Sequence, residues 1–294
     1  VVRLCPACGG TPPNSDADAE TGTDARSAAV GQELSGPTHP RVLDALLHEY
    51  PEGKDSYAVD RVVTAQLETR APMFKAGVRA GHAFLLRAAR ELSALGAAQF
   101  VVIGCGYPRE INVHNVTRAV APQARTVYLD SGALVAAYGR ALLDGDARFI
   151  EVDPNDPAAI LAGIDHRRTG YTGLDTAEPI ALVFGSLVLE RLDEPGRVIA
   201  ELVDALPSGY MVASHIRADV EAATGKAAAT VYTQHGLTLR PRTGGEIGTL
   251  LAGVELLAPG LVVAGDWLPG HDTVPAVSGP RCCWAAVGTW GGIR

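Results

Sequence analysis

The sequence predicts an α/β fold, a parallel sheet covered by helices on both faces, and three observations predict it. From about residue 98 onward, short apolar runs alternate with amphipathic stretches, the pattern of strand–helix–strand units. The run Phe100–Ile103 stops at a turn holding Gly104 and Gly106, as a buried parallel strand does where backbone must approach a ligand closely. A second apolar run, Thr126–Leu129, stops at Asp130. A carboxylate at such a strand tip can accept hydrogen bonds from ribose hydroxyls.

The elements follow in order. Residues 1–38 are rich in Gly, Pro, Ser, Thr, Asp and Ala and carry almost no large apolar side chain after Leu4. Such a segment cannot offset its ordering entropy and is expected to be a disordered tail. Residues 39–97 read as an N-terminal helical cap. Its first helix is Arg41–Glu49, with Val42, Leu43, Leu46 and Leu47 on one stripe, and Pro51–Asp55 is a break. Ser56 caps a second helix to about Thr69, and a third runs from Val78 to Leu95, ended by Gly96.

Residues 98–294 form the sheet domain. Strands are expected at 99–104, 126–130, 148–152, 179–185 and 209–214. Helices fit 112–120, 132–143, 156–163, 194–206 and 218–234, the third opened by Asp156-Pro157. The last third changes texture: a helix at 243–252, a strand at 254–263 with a Pro-Gly bend, and a final strand at 282–287. Two late strands on a parallel sheet predict a mixed edge with an antiparallel C-terminal strand.

Composition narrows the function. With 294 residues and 47% hydrophobic content, the chain can bury a sizeable core. The formal net charge of -8 and the lack of a long basic run argue against nucleic acid as partner. No apolar stretch is long enough to span a bilayer, and no charged segment followed by an apolar core marks a secretory signal. A cytoplasmic protein that works on a small molecule is the expectation, with a second copy of the chain as a candidate partner. The five cysteines include the pair Cys5 and Cys8, the adjacent Cys282 and Cys283, and Cys105 in the glycine turn. They are read as reduced thiols, with no metal site, rather than as a zinc site joining the two pairs.

The turn Gly104-Cys-Gly106-Tyr-Pro108 lacks the third glycine that lets a helix pack close under a dinucleotide pyrophosphate. No Tyr-x-x-x-Lys pair on a helix supports a short-chain oxidoreductase. The order strand, Gly-x-Gly, helix, strand, acid, with late antiparallel strands, suits S-adenosylmethionine better. Gly104, Gly106 and Asp130 are the residues expected to hold it.

Further motifs carry a resemblance. Gly53-Lys-Asp55 before Tyr57-Ala-Val-Asp-Arg61, Ala83-Phe-Leu85, the glycine turn, Asn112-Val-His114, Val127-Tyr-Leu-Asp130, the segment Asp153 to Leu161, Ser214-His215 and Trp267 together resemble an actinobacterial family of S-adenosylmethionine-dependent methyltransferase-like proteins. The resemblance covers roughly residues 39–290. It implies a Rossmann-like class I methyltransferase sheet, mostly parallel with an antiparallel C-terminal strand, under an N-terminal helical cap. Lys54, Arg79, His114 and Asp153 are further candidate cofactor-binding residues beside the glycines and Asp130. Lys54 would close over the cofactor from the cap with Asp55, and Arg79 would grip its carboxylate. His215, at the carboxyl end of a central strand, is the expected base toward the methyl acceptor. The chain also departs from the family. An acid expected just before the glycine turn is Val102, an Asn on the third helix is Gly81, and a His after the fourth strand is Leu189. These departures keep a second function open, a non-catalytic member that serves as a ligand-binding or interaction module.

Overall fold

The computed structural model describes residues 31, 34–48, 57–145, 147–219, 222–267 and 281–293. Cys5, Cys8, Lys54, Asp55 and nearly all of the expected tail lie outside the described residues. The helices α1 (His39–Leu47), α2 (Ala58–Arg70) and α3 (Phe74–Ala94) precede the sheet. Then come β1 (Gln99–Ile103), α4 (Val113–Arg118), β2 (Arg125–Asp130), α5 (Ala133–Leu142), β3 (Arg148–Glu151), α6 (Pro157–Ile164) and the short α7 (His166–Thr169). The second half holds β4 (Ile180–Phe184), α8 (Val188–Arg191), α9 (Pro195–Ala205), β5 (Gly209–Ile216), α10 (Ala222–Gln234) and α11 (Gly244–Leu250). It closes with β6 (Glu255–Leu256), β7 (Val262–Val263) and β8 (Cys283–Trp290).

The strands hydrogen-bond in the order β3-β2-β1-β4-β5-β8-β6, with β7 also on β8. Strands β1 to β5 pair in parallel, and β8 runs antiparallel to β5. This is the mostly parallel sheet with an antiparallel C-terminal strand that the sequence predicts. Period-two alternation divides the core. Phe100, Val102, Tyr128, Val183 and Val212 join α1 to α5 and α10 on one face. Val101, Ile103, Leu129, Leu182 and Phe184 join α6, α8, α9 and α11 on the other. The strand expected at 254–263 is two short pieces. Pro259 and Gly260 turn the chain between them, Gly260 N donating to Leu257 O at 2.8 Å, because proline offers no donor to a ladder. The helix α8 was not expected, and the last strand runs on to Trp290.

Two packing features place the cap. Helix α3 crosses β5 and β8 directly. A Cβ at Gly77 would stand 3.0 Å from Cys282 Cβ, and one at Gly81 would stand 2.8 Å from Cys283 Sγ. Two glycines one turn apart thus form a groove that receives Cys282 and the Cys283 thiol. Helix α1 is fixed to α2 by an ion pair, Arg41 Nε to Asp60 Oδ2 at 2.9 Å, with both side chains fully buried. The same Asp60 oxygen accepts Tyr57 N at 2.8 Å at the start of α2, and the Tyr57 ring lies 4.8 Å from the Arg41 guanidinium.

Breaking a buried pair strands a charge, which typically costs about 3–5 kcal/mol, whereas replacing both partners with apolar groups is often near neutral. Asp60→Ala should therefore lower stability in urea unfolding by about that amount. The double change Arg41→Met with Asp60→Leu should recover most of the loss.

Candidate functional site

Strands β1 and β4 are neighbours whose connections leave toward opposite edges of the sheet. A crevice opens at their carboxyl ends, the place where open α/β sheets bind ligands. The glycine turn forms one wall. Gly104 and Gly106 both have φ of +66°, a conformation that L side chains rarely adopt. Gly104 N and Cys105 N donate to Leu129 O at 2.8 and 3.1 Å. Glycine at 104 is also demanded by packing, since a Cβ there would meet Val188 at 2.3 Å. Gly106 instead faces α1, with Leu43 at 3.6 Å from a Cβ position.

Asp130 organises the turn. It is buried; Oδ2 accepts Gly106 N at 3.0 Å, and Oδ1 accepts Ser131 N at 2.9 Å and Gly132 N at 3.3 Å. A carboxylate offers about four acceptor directions. The remaining one points at the Arg191 guanidinium, 3.5 Å from Oδ2. Ser186, Leu187 and Arg191 from the end of β4 form the opposite wall, with His39, Pro40 and Leu43 of α1 above and Tyr232 of α10 beside them. Leu187 has φ of 62°, uncommon for a bulky residue and typical of strained positions at functional sites.

A larger compartment adjoins this crevice and shares Pro40, Leu43 and Ser186 with it. Together with the solvent at its mouth it spans about 560 Å³ of empty space. Its floor is one row across the sheet, because Val102 pairs in register with Tyr128 on β2 and with Val183 on β4. The polar groups of its walls include Asp44, His82, Arg109, Asn112 and Ser186. Arg109 Nη1 lies 3.1 Å from Asp44 Oδ1, and His82 Nδ1 lies 3.3 Å from Ser186 Oγ. Asn112 holds the loop below: its Oδ1 accepts Arg109 N at 2.9 Å, and its N donates to Asn115 Oδ1 at the start of α4. The acid missing at position 102 is therefore missing from the cleft floor itself.

The structure brings Gly104, Gly106 and Asp130 together at the crevice. The other expected site residues are placed elsewhere. His215 is buried between Ile216 O, 2.9 Å from Nδ1, and Arg242 Nη1, 2.8 Å from Nε2, with Glu190 at 3.7 Å. Both ring nitrogens are engaged and the ring lines neither compartment, so the structure sets His215 in the core beside the cleft and not on its walls. Arg79 donates from Nε to Leu46 O at 3.1 Å and from Nη2 to His48 O. It satisfies carbonyls at the end of α1 that no helical N–H can reach, and it lines neither compartment. His114 bridges Tyr128 Oη at 2.8 Å and Asp144 Oδ1 at 2.9 Å, so it positions a floor residue without lining the cleft. Asp153 is exposed in the turn after β3, where Oδ1 accepts Asn155 N at 2.9 Å. Among the described residues no cluster of three or more His, Cys, Asp or Glu could hold a metal ion, and no helix is long and apolar enough to cross a membrane.

Asp44, His82, Arg109, Ser186, Leu187 and Arg191 line the two compartments and are not among the expected site residues. A signal existed for three of them. The strand-end rule that picks Asp130 applies equally to the end of β4, where Gly185-Ser186-Leu187 and then Arg191 follow. Gly185 even marks the crossing, since a Cβ there would stand 2.2 Å from Gly104 O.

With this geometry in place, the comparisons with known proteins are informative. A family model described as S-adenosyl methyltransferase matches residues 27–291. A DUF574 family protein from Streptomyces avermitilis is 28% identical, with a TM-score of 0.76 over 86% of this chain and 97% of that one. A candidate methyltransferase from Thermobifida fusca is 29% identical, with a TM-score of 0.76 over 88% of this chain and 96% of that one. No curated protein matches the chain.

Two imidazoles of the site are held neutral. Burial first, and Arg109 second, lower the His82 pKa from 6.5 to about 4. Burial likewise lowers His39 to about 4, opposed by its contact with Thr238 O. Between about pH 6.5 and 4 the unfolded chain binds protons that the folded chain refuses. The stabilisation is full above pH 6.5 and is lost as pH falls toward 4. Thermal melts across this range should show a declining midpoint, and His82→Gln should flatten the decline. An unchanged slope would place the linked protonation elsewhere.

Proposed function

This chain belongs to the S-adenosyl methyltransferase family, whose cofactor is S-adenosylmethionine, and we propose that it is a cytoplasmic enzyme that methylates a small-molecule acceptor. The observation that carries this reading is the meeting of the Gly104–Gly106 turn and Asp130 at the switch point between β1 and β4. The donor set fits the cofactor. Asp130 keeps one acceptor direction for a ribose hydroxyl, in competition with Arg191, and Gly106 presents a face without a side chain.

When bound, the cofactor supplies an electrophilic methyl carbon on a sulfonium. The chain supplies position and exclusion of water. Asp130 accepts from the ribose, the row Val102–Tyr128–Val183 gives an apolar floor, and α1 roofs both compartments. Holding an acceptor in line at near-attack distance can provide much of the rate without a protein nucleophile. Ser186, which lines both compartments, and His82, which lines the larger one, would face an acceptor placed there. His82 is neutral at physiological pH, so it receives or donates a hydrogen bond there without adding charge beside a sulfonium.

Val102 supports the competing reading of a non-catalytic ligand-binding module, and one measurement addresses both. Titration calorimetry with S-adenosylhomocysteine should show saturable binding, and NADH should give none. Asp130→Asn should weaken the binding by about 1–3 kcal/mol. Binding of NADH with S-adenosylhomocysteine ignored would refute the assignment. Saturable binding without methyl transfer to any offered acceptor would favour the module.

A further inference from the structure

We propose that the amino-acid end of the cofactor is held by Asp44 and Arg109, so that the carboxylate expected on the sheet is supplied instead by the cap helix α1. This rests on the cofactor reading above and assigns two residues that the sequence did not single out.

An α-amino acid presents an ammonium and a carboxylate on one carbon. A site for it needs an acceptor of negative charge and a donor of positive charge side by side. Among the described residues lining the larger compartment, Asp44 is the one carboxylate and Arg109 the one guanidinium, and they stand 3.1 Å apart. The sheet offers no such group, because its floor here is Val102, Tyr128 and Val183. Asp44 is 4% exposed and Arg109 20%, so both act where water screens little and charge-assisted bonds are strong.

Position adds a second argument. The compartment with Asp44 and Arg109 shares Pro40, Leu43 and Ser186 with the crevice that holds Asp130. A molecule with a ribose at one end and an amino acid at the other can occupy both. The pair is also braced in advance. Arg109 sits on the loop fastened by Asn112. Asp44 is steadied by His48 Nδ1 at 3.2 Å, and Arg79 holds the carbonyls at the end of its helix. Cofactor binding would then require α1 docked in place, which makes the cap part of the binding site.

The test compares two ligands. S-adenosylhomocysteine carries the amino-acid end, and 5′-methylthioadenosine has the same nucleoside and thioether without it. Titration calorimetry on the full chain should show wild type preferring S-adenosylhomocysteine. Asp44→Asn should weaken S-adenosylhomocysteine roughly 10- to 100-fold, the range for one charge-assisted hydrogen bond, and leave 5′-methylthioadenosine within about a factor of two. Arg109→Gln, at a partly exposed site, should give the same split, and it decides the matter if thermal melts show Asp44→Asn to be unfolded. Equal losses for both ligands would overturn the proposal, since the pair would then only hold α1 in place. Equal wild-type affinity for the two ligands would overturn it as well. Wild type that binds neither ligand would instead strike the cofactor reading itself, and this proposal with it.

Discussion

A carboxylate buried at the end of a parallel strand has to be surrounded by donors, and the requirement of Asp130 shapes the whole site. It draws Gly106 N from the turn after β1, Ser131 N and Gly132 N from the entry to α5, and the Arg191 guanidinium from α8. Three segments distant in sequence are thereby tied to one side chain. The glycine turn takes its left-handed geometry from this anchoring, and the crevice exists because β4 leaves in the other direction. Without Asp130 the turn would lose its partner, and with it the fixed wall against which a ligand is placed.

The cap depends on a second buried charge. Arg41 and Asp60 seat α1 against α2, and α1 then covers both compartments with Pro40 and Leu43. Losing one partner of such a pair strands the other charge, whereas replacing both with apolar groups costs little. The charges of the site follow the same economy of placement: Asp130 faces Arg191, Asp44 faces Arg109, and the imidazoles of His39 and His82 stay neutral.

Much of the fold was legible because central parallel strands are apolar runs cut by glycine or acid, and helices carry a stripe. Gly104, Gly106 and Asp130 were legible for the same reason, since strand-end position follows directly from strand assignment. His215 shows the limit. The rule that points to the carboxyl end of β5 says nothing about which way a side chain turns there, and Arg242 with Glu190, from other elements, decide it. Arg79 was visible as a helix arginine, but its destination depends on where α1 ends. Asp44, His82 and Arg109 come from a cap helix, a long helix and a loop, and only tertiary packing brings them together. The break at Pro259-Gly260 was read as a bend within one strand, because the register of its two halves on β8 is set by a partner distant in sequence.

The groove of Gly77 and Gly81 on α3 couples the cap helix to the strand it crosses. Each helical glycine costs about 1 kcal/mol relative to alanine, and here Gly77 makes room for Cys282 just before β8 and Gly81 for the Cys283 thiol at its start. At position 81, where the resemblance implies an asparagine, a Cβ would stand 2.8 Å from Cys283 Sγ, so a side chain there fits only if that thiol shifts. The two positions are therefore packed as one unit: a side chain at position 81 requires the Cys283 thiol to turn away or residue 283 to be smaller.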